Sequence, residues 1–63
     1  MTNIEKIKYT VRRMMDMFDL EDTPENELAL ITAMRDEKKY HGVPETDPTM
    51  IGLNALINTA LIG

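Results

Sequence analysis

Apolar residues in the first third of the chain recur at spacings of three and four. Ile4, Ile7, Val11, Met14 and Phe18 fall on one stripe of a helix, with Met15 beside them. Lys6, Lys8, Tyr9, Arg12, Arg13, Glu5 and Asp16 occupy the opposite side. Thr2, with Glu5 three residues on, has the spacing of a capping box, in which the hydroxyl accepts from the Glu5 backbone N–H and the carboxylate reaches back. A first amphipathic helix is therefore expected from this cap to about Asp19 or Leu20. Within it Asp16 has Arg12 at four residues and Arg13 at three as pairing partners.

The second segment opens at Thr23-Pro24, an N-cap followed by proline at the one helical position where the missing N–H is harmless. Its apolar face is Leu28, Leu30, Ile31 and Met34, after which Arg35-Asp36-Glu37-Lys38-Lys39 leaves only the first two turns strongly core-forming. Lys38 and Lys39 suit the negative end of the helix dipole, and Gly42 is placed to take the left-handed conformation that ends a helix. Val43 to Asp47 is then a short linker, with Asp47 as N-cap and Pro48 at the first position of a third helix running towards Ile62.

That third helix is apolar on two faces. Met50, Leu53, Leu56, Ile57, Ala60 and Leu61 form a broad stripe, and Ile51, Ala55 and Ile62 form a second row in which Asn58 also falls. Two other helices do not cover both faces. Either the third helix is central and buried almost all round, or the second row, Ile51, Ala55, Asn58 and Ile62, is an interface with another chain. In the latter arrangement Asn58 would set register between subunits; in the former it faces water or a backbone carbonyl. Met17 lies outside the first helix's main stripe, near Lys6 and Thr10, and is a further contact candidate. With no alternating strand pattern competing, the prediction is an all-α, three-helix bundle with short capped loops, one small domain over residues 1–63.

Length sharpens the question of what completes the core. Sixty-three residues bury only about 60% of the surface their unfolded chain exposes, and with no cysteine there is no disulfide or cysteine-held zinc to compensate. Such a chain packs unusually well or borrows buried area from a partner. The missing cysteines point to a reducing compartment, and the N-terminal Met1 to Lys6 carries no apolar signal-peptide core. The uncharged stretch from Pro48 onward is shorter than the roughly 20 residues that span a bilayer, so no membrane partner is expected.

Seven Lys and Arg against eleven Asp and Glu give a net charge of -4, which opposes nucleic-acid binding through phosphate contacts. The distribution is uneven: Lys6, Lys8, Arg12 and Arg13 are followed by Asp16, Asp19, Glu21, Asp22, Glu25 and Glu27 without an intervening base. Tyr9 and Tyr40 offer stacking surfaces near lysines, yet the neighbouring acids leave no specific nucleic-acid site in view.

Candidate chemistry is sparse. The one histidine, His41, sits beside Gly42, and there is no Ser or Cys to act as nucleophile. Gly42, Gly52 and Gly63 are isolated, with no phosphate loop around them, and Phe18 and Leu20 interrupt any calcium-type ligand spacing in the acidic run. No catalytic residue, metal ligand set or cofactor site is expected. Met14, Met34 and Met50 read as core filling.

The order of features, Lys6-Ile7-Lys8 in an amphipathic helix, an acidic connection, Glu27-Leu28-Ala29-Leu30-Ile31, Gly42-Val43, Asp47-Pro48 and then Met50-Ile51 opening an apolar helix, resembles the small head-tail connector proteins of tailed bacteriophages. Members of that family continue past this point with a further helix. The resemblance implies a non-enzymatic subunit, located in the virion or the host cytoplasm, whose copies ring the DNA channel beneath the portal. The Ile51, Ala55, Ile62 row would then be a subunit contact. The alternative expectation is a small homo-oligomeric, dimeric regulator or inhibitor from a phage or mobile element that binds a host protein. Both place the partner in the protein class: further copies of the chain, or another protein.

Overall fold

A computed structural model describes residues 2–62 of the chain, with side chains described as far as Ala60. It contains three helices in sequence, α1 (Asn3–Met17), α2 (Pro24–Tyr40) and α3 (Pro48–Ile62), each packed against the other two. The architecture is the all-α, three-helix bundle expected from the apolar spacing.

Each helix starts where its capping residue dictates. The Thr2 hydroxyl accepts from the Glu5 backbone N–H at 3.2 Å, Thr23 accepts from that of Asn26 at 3.2 Å, and the Asp47 carboxylate accepts from Thr49 and Met50 at 3.0 and 3.2 Å. The Glu5 carboxylate reaches back as a capping box requires, but it accepts from the Thr2 hydroxyl rather than from the backbone N–H. At the second cap Asn26 returns the contact, donating its side-chain amide to the Glu21 carbonyl at 2.7 Å.

The two described connections share one device. At the end of α2 the Gly42 N–H bonds to the Lys39 carbonyl and the Val43 N–H to that of Lys38, with Gly42 at φ 81°. At the end of α1 the same pair of bonds runs from Asp19 to Asp16 and from Leu20 to Met15, with Asp19 at φ 55°. Both are Schellman terminations, in which a left-handed residue returns two amides to the last turn. The α1 termination comes earlier than the expected Asp19 or Leu20: the helix ends at Met17, because Asp19, a residue type that tolerates the left-handed region, takes the place that glycine takes in α2.

The core consists of Ile7, Val11 and Met15 from α1, Ile31 from α2, and Met50, Leu53 and Ile57 from α3, with Leu28, Leu30, Met34, Val43 and Leu56 partly buried against it. This corrects the α1 stripe. The buried line is Ile7, Val11, Met15, while Met14 is half-buried and Ile4 and Phe18 at its two ends are exposed. On α3 the broad face holds as expected at Met50, Leu53, Leu56 and Ile57, but Ala60 is exposed; the Leu61 side chain lies outside the described residues. Among the described residues no polar side chain is buried, and the ion pairs are Arg35–Asp36 and Lys39–Glu45. Asp16 therefore pairs with neither Arg12 nor Arg13. Glu45 instead ties the second connection down, meeting the Lys39 ammonium at 3.4 Å and accepting from the Asn54 amide at 2.9 Å. Being exposed, this bridge contributes at most about 1 kcal/mol.

Candidate interaction surface

The second row of α3 faces outward. Ile51 is 56% exposed, and Ala55 and Asn58 are exposed beside it; the fourth residue expected in the row, Ile62, has its side chain outside the described residues. The helix is therefore not buried all round. Its inner side supplies the core and its outer side presents an uncharged, largely apolar strip to solvent. Asn58, the polar member of the row, is exposed with Ile51 and Ala55.

Gly52 places this strip against α1. A Cβ built there would lie 2.9 Å from Ile7 Cδ1 and 3.9 Å from both Asn3 Cβ and Ile4 Cγ1, so the two helices approach as closely as the missing side chain permits. Ile4, expected in the core, is 39% exposed in the first turn of α1, beside Gly52. The helical spacing put it on the buried stripe, but the buried line of α1 begins one turn later, at Ile7.

Met17 is also exposed, at 71%, as expected if it is a contact residue. It stands with Phe18 and Leu20, also exposed, at the α1–α2 turn. The sequence-expected interface residues thus sit on two elements, Ile51, Ala55 and Asn58 on the outer side of α3 and Met17 at the end of α1.

The remaining polar features are dispersed. His41 is exposed as the C-cap of α2, its ring edge-on to Tyr40 at 5.4 Å. The Arg13 guanidinium stands 5.9 Å from the Tyr9 ring centre on the outer face of α1. Among the described residues no three His, Cys, Asp or Glu side chains converge as a metal-binding group, and no helix is long and apolar enough to cross a membrane. A shallow hollow of about 220 Å³ lies between α2 and α3, floored by Leu28, Ile31 and Leu56 and rimmed by Lys8 and Glu27. No protein-family model matches the chain, and neither the curated proteins nor the solved structures contain a match to it.

Proposed function

We propose that this chain is a non-enzymatic assembly subunit, acting through protein–protein contact in the manner of the phage head-tail connector components that its sequence resembles, with the outer strip of α3 as the contact between copies. The observation that carries this reading is the exposure of Ile51 with Ala55 and Asn58 on a helix whose opposite side forms the core. A soluble chain that leaves such a strip in water pays roughly 25 cal/mol for each Å² of apolar surface, and covering it against another subunit recovers that cost. The strip carries no charge, so copies meet there without like-charge repulsion.

That lack of charge also favours a second reading, a two-fold dimer serving as a small regulator or inhibitor, since an uncharged strip is complementary to itself. Mass separates the two. Light scattering after size-exclusion chromatography is expected to give a multiple of the 7.2 kDa chain mass. Ile51→Lys is expected to reduce it to the single-chain value with helicity unchanged by circular dichroism, because Ile51 makes no part of the core. A mass above the dimer supports the connector-like subunit, and a dimer supports the regulator. A single-chain mass for the unsubstituted protein at high concentration contradicts both.

A further inference from the structure

The α1–α2 turn carries three large apolar side chains within four residues, Met17, Phe18 and Leu20 at 71%, 59% and 41% exposure. They are not on a loose loop: the Phe18, Asp19 and Leu20 amides donate to the Met14, Asp16 and Met15 carbonyls at 3.0, 3.2 and 2.8 Å. The turn is thus a preformed apolar knuckle. Exposed Asp16, Asp19, Glu21 and Asp22 surround it, and Arg12, which borders the same small hollow as Asp16, Asp22 and Met15, offsets only part of their charge.

Charge decides what fits. Two knuckles brought face to face would crowd eight carboxylates together, so a symmetric self-contact is opposed there, in contrast to the uncharged α3 strip. Nucleic acid is repelled by the same carboxylates. The chain's own cationic face is a poor complement, because Lys8, Arg12 and Arg13 are interleaved with Glu5 and Asp16. We propose that the Met17–Leu20 knuckle docks a basic amphipathic helix of a different protein. Apolar side chains of that helix seat on Phe18 and Met17, the latter adapting to irregular contours, while its lysines and arginines meet Asp19, Glu21 and Asp22. The inference is independent of the α3 reading, since it uses none of that strip's residues.

The test is an amide chemical-shift titration of the full chain with a capped peptide of Leu and Lys at helical spacing, alongside a Lys and Ala peptide that lacks large apolar side chains. Shifts confined to the end of α1 and the following turn are expected. Binding should weaken at least about tenfold in Phe18→Ser, as for loss of a central interface anchor. It should weaken several-fold and lose much of its salt dependence in Asp19→Asn/Asp22→Asn. Ile51→Lys should bind as the unsubstituted chain does, whatever its own oligomeric state. Circular dichroism of Phe18→Ser confirms that the exposed substitution leaves the fold intact. The proposal is overturned by absence of binding, by equal binding of the Lys and Ala peptide, by a Phe18→Ser variant that binds undiminished, or by turn shifts that follow the chain's own concentration without peptide.

Discussion

Asp19 holds a conformation that side chains other than glycine seldom adopt, and it does so to end α1. Comparison with Gly42 shows the cost: two terminations have the same hydrogen bonds, but one is built on a residue with a Cβ. Asp19→Gly is therefore expected to raise stability by about 0.5–1 kcal/mol, after the larger backbone entropy of unfolded glycine offsets part of the relief. Urea denaturation reads it, and a loss of stability would mean that the Asp19 side chain contributes more than its backbone strain removes. The same residue explains why one helix end was legible in the sequence and the other was not. Gly42 announces a terminus, whereas an Asp within an acidic run does not, so the apolar spacing was followed one turn too far and Phe18 was placed in the core rather than at the surface.

Among elements, α3 approaches α1 closely at Gly52, where no Cβ intervenes. A leucine there has no space beside Ile7, which is 4% exposed and packed in the core, so Gly52→Leu is expected to cost about 1–3 kcal/mol as an overpacked contact. Gly52→Ala should be close to neutral, because the atom it meets is the end of the Ile7 side chain and alanine gains about 1 kcal/mol of helix propensity over glycine. Thermal or chemical denaturation of the pair checks this, and a harmless Gly52→Leu would show that the helices separate at no cost. Helix starts were readable throughout, since Thr2, Thr23-Pro24 and Asp47-Pro48 cap by local chemistry. What was not readable was the crossing: an isolated glycine in an apolar helix does not announce which helix it meets, and how α3 lies on α1 at Gly52 is a relation that no local pattern encodes.

For the molecule as a whole, the folded chain exposes 4657 Å², against about 4,100 Å² expected for a compact monomer of 7.2 kDa. The excess agrees with a core that three short helices leave incomplete and with apolar residues standing outside it, Ile51 above all. The two-sided character of α3 was legible because Met50, Leu53 and Ile57 and then Ile51 and Ala55 each repeat at helical spacing. Whether the second row is buried or faces water became visible only from the packing of the other helices. The central claim is that this outer row is covered by a second copy of the chain, and the absence of native cysteine allows it to be probed at a single site. The measurement is the rate at which a thiol reagent modifies Ala55→Cys, compared with Arg13→Cys on the outer face of α1, from dilute micromolar to millimolar protein. If copies meet over α3, the Ala55→Cys rate falls at least about tenfold with concentration by mass action while the Arg13→Cys rate is unchanged; two rates that stay parallel across that range contradict it.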